Sequence, residues 1–375
     1  MKNIEHILPK SIAIAGIYGY IGNLIYQAAL ELGIRKVYGF DPGVEPNNFL
    51  YSPQLEMLTN EEYFYNLNAD LFHIATHPNI RYGIFKLLTR KIKINVEKPV
   101  CHPAYPQEAL KLIEAVKNSA STVYFNFVEV FNPRTFKIIE ILDDFRQYND
   151  FKLNYIYSER AKNREYKDNE RNYKVIVPIQ YQETCHCLAM ALYILTPGYC
   201  FKNLFRNGIK VKAFSEKYNP PNPQDYKYGE VDGKVIGQIR MDNLLIEIYN
   251  DFKRKDLSRP LKKFLIQGVA NNQPFVIKQV YDGFQEYLLL NDHLVEEKEE
   301  QNRHKNTITY SWYLHQKSTL FRLKPDVEFA WLVFRLSATI WQSCFENRTV
   351  EIKTEKDMIE AVEFYPKYLQ NISVI

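Results

Sequence analysis

The chain lacks the features that tie a protein to a membrane, an oxidising compartment or a polyanion. Its longest apolar stretch, FAWLVFRLSATIW at 329–341, is shorter than the roughly 20 residues a bilayer span needs and carries Arg335. Ala13-Ile14-Ala15 imitates a signal cleavage site, but the preceding MKNIEHILPKS is charged, includes Pro9 and has no apolar segment. The five cysteines, at 101, 185, 187, 200 and 344, are odd in number and scattered, which argues against a disulfide framework and fits reduced thiols in a cytoplasmic protein. Cys185-His186-Cys187 lacks the paired CxxC spacing of zinc sites and has no second cluster to accompany it, so no metal is expected. Charge of one sign is also missing. The 48 Lys and Arg face 44 Asp and Glu, a formal net charge of +4 without a long basic run, which gives a nucleic-acid or membrane-surface role little support. There is no internal repeat and no low-complexity linker.

What is present is ordinary globular material. Hydrophobic residues make up 46% and charged residues 25%, with 28 Tyr and 23 Phe, so disorder is not expected over most of the chain. At roughly 150 residues per domain, 375 residues imply two domains. The partners expected are small molecules or further copies of the chain.

The apolar run SIAIAGI reads as a buried strand ending at glycine, and NLIYQAALELG as a helix with Leu24, Ile25, Ala28, Ala29 and Leu32 at helical spacing and Gly33 beyond its end. KVYGFDP gives a second strand closing at Asp41. ADLFHIATHP and KIKINVEKP are strands flanking the helical IRYGIFKLLTRK, and ALKLIEAVKNSA leads as a helix into the strand TVYFNFVEV. This alternation over residues 1–125 predicts a doubly wound parallel sheet. From 126 to 375 the pattern changes. After a helix in FNPRTFKIIEILDDF come long alternating strands, FKLNYIYSER, KVIGQIRMDNLLIEIYNDFK and RPLKKFLIQGV, with turns at 242–243 and 258–260. An α+β domain with a mainly antiparallel sheet is predicted there. The charged segment 291–306 reads as a solvated connection or frayed helix end.

Three glycines, Gly16, Gly19 and Gly22, sit between the first strand and helix as GxxGxxG. A glycine turn there lets backbone approach a pyrophosphate, while the helix N-terminus offers N–H groups and a positive dipole end. Asp41, nineteen residues beyond Gly22 at the end of the second strand, is placed to accept the ribose hydroxyls of an adenosine. A carboxylate there repels a 2′-phosphate, and Pro42 and Gly43 follow it instead of arginine, so NAD is favoured, with NADP the alternative if Arg35 or Lys36 swings round. The cofactor-binding set predicted is Gly16, Tyr18, Gly19, Tyr20, Ile21, Gly22, Asp41, Thr76, His77, Pro78, Glu97 and Lys98, the later members lying at strand ends in the same crevice.

The glycine turn, the acidic strand end, Ala75-Thr76-His77-Pro78, a helix and then Glu97-Lys98-Pro99 together resemble the glucose-fructose oxidoreductase, inositol dehydrogenase and rhizopine-catabolism family (Gfo/Idh/MocA). The similarity continues through Phe131-Asn132-Pro133 and the closing WQSCFENRTVEI. The resemblance implies a Rossmann domain followed by a substrate-binding and oligomerisation domain with a large open, mainly antiparallel sheet. It also implies a last helix able to pack back on the first domain, a cis Lys98-Pro99 peptide, self-association through the open sheet, and hydride transfer between nicotinamide and a carbinol carbon of a sugar, cyclitol or related polyol. It places a catalytic histidine on a second-domain helix, which YQETCHCLAMALYIL supplies as His186, with Lys98 hydrogen-bonding the reacting oxygen.

The chain departs from the family pattern around that histidine. An Asp four residues before it and an acid three after it are here Gln182 and Ala189, leaving Glu183 as the substitute carboxylate; the arginine usual before Phe131 is Val130. Arg160, Arg164 and Arg171 lie in the stretch that the resemblance puts near substrate, where they can hold a phosphate or carboxylate. The blander reading is a solvated loop balanced by Asp168 and Glu170. Three functions therefore compete: a polyol dehydrogenase, an imine reductase of the same fold, and a non-catalytic nucleotide-sensing or partner-binding protein.

Overall fold

The computed structural model describes residues 8–42, 52–78, 81–163, 178–195, 208–218, 231–299, 302–316 and 324–372. The chain divides into two compact units, 1–132 with 302–331 and 133–301 with 332–375. The boundary expected from the sequence, between 125 and 126, stands near the first of these divisions. Residues 302–331 count with the first unit, and the last helix with the second.

The helices are α1 (Tyr20–Glu31), α2 (Glu61–Asn66), α3 (Gly83–Leu88), α4 (Gln107–Lys117), α5 (Pro133–Phe145), α6 (Cys185–Leu195), α7 (Arg303–Gln316), α8 (Val327–Glu346) and α9 (Glu355–Ile372). The first six strands are β1 (Ser11–Ala15), β2 (Lys36–Phe40), β3 (Leu55–Leu58), β4 (Leu71–Ile74), β5 (Lys93–Glu97) and β6 (Thr122–Asn126). They form one sheet in the order β3-β2-β1-β4-β5-β6, parallel throughout, which is the doubly wound arrangement predicted. Its central strands are buried on both faces, which is why β1 reads as an unbroken apolar run. Ile12, Ile14 and Leu71 of the sheet pack with Ile25, Ala28 and Ala29 of α1, and the returning α7 adds Ile308 and Trp312 to the same core. Leu32 caps α1, and Gly33 follows at φ +71°, a left-handed position that glycine enters without a Cβ penalty.

In the second unit the strands are β7 (Lys152–Ala161), β8 (Ile209–Tyr218), β9 (Val231–Met241), β10 (Leu244–Asp251), β11 (Leu261–Ala270), β12 (Gln273–Tyr281), β13 (Gln285–Leu290), β14 (His293–Glu299) and β15 (Val350–Ile352). Their order is β14-β13-β12-β11-β7-β10-β9-β8-β15; β7 and β10 are parallel and the other pairs antiparallel. Two-residue hairpins account for several positive φ values: Asp242 at 51°, Asn271 and Asn272 at 52° and 58°, Asn291 and Asp292 at 50° and 63°. Strand β10 alternates strictly between buried and half-buried residues until its end, as expected of a sheet with one covered face. On the covered side Ser343 of α8 accepts the Ala213 N–H at 2.9 Å, and Tyr181 packs on Phe334. The reading of 291–306 as a solvated connection or frayed helix end is corrected over its first part: 293–299 is an edge strand, and a helix opens at 303. The edge position leaves His293, Leu294, Val295 and Glu297 in solvent, and a charged edge discourages pairing with other chains. Among the described residues no helix is long and apolar enough to cross a membrane.

Candidate functional site

In the first unit the carboxyl ends of β1, β2, β4 and β5 lie along one sheet edge, because all are parallel and in register, Ala15 opposite both Phe40 and Ile74 and Ile74 opposite Val96. The strand order reverses between β1 and β4, the switch point at which such sheets take ligands. The glycine turn stands there. Gly16, at φ +80°, donates its N–H to Phe40 O at 2.7 Å and accepts the Gly19 N–H at 3.0 Å. A Cβ at Gly16 would sit 2.9 Å from Thr76 N, and one at Gly22 only 2.0 Å from Gly16 O, so both glycines are required by packing alone. Gly19 differs. It is exposed, with φ −67° and ψ 157°, and an added Cβ would meet only Gly16 O, at 3.1 Å.

Helix α1 starts at this turn without a side-chain cap and without an acidic residue in its first turn. No side-chain carboxylate therefore opposes the positive end of the helix dipole at this turn. Asp41 Oδ2 accepts the Tyr18 N–H at 3.0 Å, which ties the turn to the end of β2. Burial pushes the Asp41 carboxyl above its usual range, opposed by that N–H. Tyr20 is exposed, and Tyr18 and Ile21 are half-buried. Lys36 lies at the opposite end of β2, paired with Glu56 at 2.7 Å and over the Tyr38 ring, so it does not accompany Asp41.

The next loops complete this edge. Thr76 is buried, and its Oγ1 finds no hydrogen-bond partner among the described residues. His77 and Pro78 are half-buried; burial, followed by the Arg81 charge, pulls the His77 imidazole down to about 4. Lys98 is half-buried beyond β5, and the Lys98-Pro99 peptide is cis. Glu97 faces inward. Its Oε1 meets His73 Nε2 at 3.1 Å and accepts from Asn126, whose Oδ1 accepts from Thr307 of α7 at 3.0 Å. Burial raises the Glu97 carboxyl, but these hydrogen bonds and the nearby His73 and His304 imidazoles outweigh it and hold it below its usual range. A neighbouring network joins Asn95 to Ser311 at 2.6 Å and to His315 at 3.2 Å.

Sequence reasoning missed Arg81. Its Nε donates to Thr76 O at 3.0 Å, Nη1 to Pro99 O at 2.5 Å, and Nη2 lies 3.5 Å from Lys98 O. Burial lowers the guanidinium to about 10, with the Glu97 carboxylate opposing the fall, so it remains a cation at neutral pH. His102, also unread, is fully buried beside His77 with ring centroids 5.8 Å apart; its Nδ1 accepts the Ala104 N–H at 3.1 Å. Nothing in their spacing distinguishes either residue from a solvated side chain.

In the second unit His186 is buried in the first turn of α6, directly after a π-helical turn, Gln180–Thr184. Such wide turns recur at functional positions. Glu183 projects from this turn and bridges two cations of the β7 end, accepting from Arg160 Nε at 2.8 Å and Lys162 Nζ at 2.7 Å. Arg160 is therefore tied to a carboxylate; Arg164 and Arg171 lie outside the described residues. Gln182 and Ala189 are buried, leaving those two positions without a carboxylate. Cys187 accepts a long hydrogen bond from Asn250 at 3.4 Å, and Thr184 donates to Asn250 at 2.6 Å. Glu129 and Val130 belong to the first unit, where Glu129 pairs with Arg303 of α7 at 3.1 Å.

No family model and no curated protein sequence matches the chain. Solved structures do. A myo-inositol dehydrogenase from Corynebacterium glutamicum superposes with a TM-score of 0.65 at 16% identity, over 92% of this chain and 99% of that one. A super-repressor mutant of Gal80p from Saccharomyces cerevisiae gives 0.67 at 13% identity, over 92% and 98%. GenD2 from gentamicin A biosynthesis, in complex with NAD, gives 0.63 at 11% identity, over 93% and 97%. At such identities the likeness establishes the fold: a Rossmann-type parallel sheet followed by a large mixed, mainly antiparallel one.

Proposed function

We propose that the protein is an NAD-dependent oxidoreductase of the Gfo/Idh/MocA type, interconverting a secondary alcohol and a ketone on a sugar, cyclitol or related polyol. The observation that carries this reading is the glycine turn at the switch point: an uncapped helix start behind an open Gly19, with Asp41 at the neighbouring strand end. The residues fit a dinucleotide. The first-turn N–H groups of α1 would hold its pyrophosphate, Asp41 its adenosine ribose, and Thr76 Oγ1 a further polar group. When bound, the nicotinamide supplies the hydride acceptor or donor. In the second unit His186 is read as the group that takes a proton from a substrate hydroxyl or returns it, and in the first unit the Lys98 ammonium is read as a hydrogen-bond donor to an oxygen on which negative charge develops. Glu183, Arg160 and Lys162 orient the start of α6. The second unit's open sheet face, where Phe214 and Ile236 are exposed, favours self-association, and a monomer by light scattering would reject that part.

A polyol screen with NAD, following the near-ultraviolet absorbance of the reduced cofactor, tests the activity. His186→Ala and Lys98→Ala should each slow turnover by roughly 10² to 10⁴ with the fold intact, and full activity in either variant would reject that residue's role. A second reading, a non-catalytic nucleotide sensor, rests on Gln182 and Ala189 and on the likeness to Gal80p. It predicts cofactor binding with no turnover on any polyol.

A further inference from the structure

Strands β4 and β5 are parallel neighbours, so the loops that leave them, Ala75–Pro78 and Lys98–His102, start from the same sheet edge. Backbone pairing along the ladder ends with the strands. Beyond it the Arg81 side chain joins the loops, with the Thr76 carbonyl on one side and the Lys98 and Pro99 carbonyls on the other. All three acceptors are main-chain oxygens. The guanidinium therefore fixes backbone, and its planar fork of five donors is wide enough to meet carbonyls of both loops from one side chain. Burying a cation against neutral acceptors is costly, and a core position needing only volume is filled at less cost by an apolar side chain.

We propose that Arg81 is a positioning residue that locks the Lys98 loop to the Thr76–Pro78 loop, so that the Lys98 side chain and Thr76 Oγ1 are presented to a bound dinucleotide from a fixed backbone. The proposal rests on the cofactor reading above. It assigns no contact between Arg81 and the ligand: the guanidinium acts through the carbonyls it holds. Lysine in its place keeps the charge but has no planar fork to span both loops, and methionine keeps the volume alone.

The test uses the full chain as wild type, Arg81→Lys and Arg81→Ala. Hydrogen–deuterium exchange is followed at peptides covering 75–78 and 98–102, with β1 as the reference, beside NADH titrations with and without millimolar methylguanidinium. In Arg81→Ala, exchange at both loops rises about tenfold or more while β1 is unchanged, and NADH binding weakens by about tenfold or more. Methylguanidinium restores both, and Arg81→Lys falls between the two. Unchanged exchange at either loop overturns the proposal, as does an equal rise in β1, which would make Arg81 a general stabiliser. Failure of methylguanidinium to restore the loops also overturns it. If wild type binds no NADH, the cofactor reading falls separately, and loop exchange and its rescue still decide whether Arg81 is the lock.

Discussion

Alanine at Gly22 and at Gly19 separates the two things the glycine turn can be. At Gly22 the new Cβ falls 2.0 Å from Gly16 O, 2.7 Å from Gly16 C and 2.9 Å from Ile17 Cα. All three are backbone atoms of a turn pinned by the 2.7 Å bond from Gly16 N–H to Phe40 O, so the turn itself must open. Overpacking of that kind costs about 1–3 kcal/mol. At about 2 kcal/mol, a unit of this size melts roughly 4–8 °C lower. Gly19→Ala meets no such obstacle. Its backbone suits any residue, the nearest atom is Gly16 O at 3.1 Å, and the cost is that of a poorer N-cap, about 0.5 kcal/mol or roughly 1–2 °C. The methyl nevertheless stands where a pyrophosphate must approach the α1 amides, and NADH affinity falls on the order of tenfold, about 1.4 kcal/mol. Thermal melts by circular dichroism and NADH titrations on the same samples read both effects. A Gly22→Ala protein that melts like wild type refutes the packing argument. A Gly19→Ala protein that binds NADH like wild type leaves the turn as a tight corner and nothing more.

Asp41 and Glu97 should move stability in opposite directions with pH. Asp41 is raised by burial, so the folded chain binds its proton more tightly than the unfolded chain, and the resulting stability is lost as pH rises through the raised value. Asp41→Asn, which keeps an acceptor for Tyr18 N–H, should melt higher at pH 7, lose that gain below about pH 4, and bind NADH more weakly; a pH-independent difference would refute the assignment. Glu97 is held low by its hydrogen bonds despite burial, so its contribution is present above the ordinary carboxylate range and lost as pH falls through its folded value. Glu97→Gln should cost about 1–3 kcal/mol at pH 7 and flatten acid unfolding below about pH 4.5. Denaturant melts of the variant that match wild type at pH 7 would count against the network.

Much of this was legible in the sequence because the physics is local. The β1 run, the α1 spacing and the left-handed Gly33 fix a strand, a helix and its end within 23 residues. The loop of Asp242-Asn243 announces its hairpin through the tolerance of those residues for left-handed backbone. What escaped depends on distance along the chain. Strand β3 and helix α2 are four and six residues long, and β3 is half-buried throughout, too brief to show a period. The charges of β14 look like a loop until one sees that, among the described residues, it pairs on one side only. His73 and Asn126 are polar letters inside apolar strands, and their reason, Glu97 together with Thr307 of a helix 181 residues beyond Asn126, appears only in three dimensions. Arg81 belongs with them. Its partners are carbonyls, and carbonyls leave no mark in a sequence.

Everything proposed for the first unit depends on its holding a dinucleotide through α1 and Asp41. The direct measurement is a fluorescence titration of the wild-type chain with NADH and, separately, NADPH, read as energy transfer from its tyrosines and tryptophans to the reduced nicotinamide. Saturable binding of NADH, with NADPH weaker by about tenfold or more, is the predicted result. Binding of neither would contradict the central claim, and a preference for NADPH would contradict the role given to Asp41.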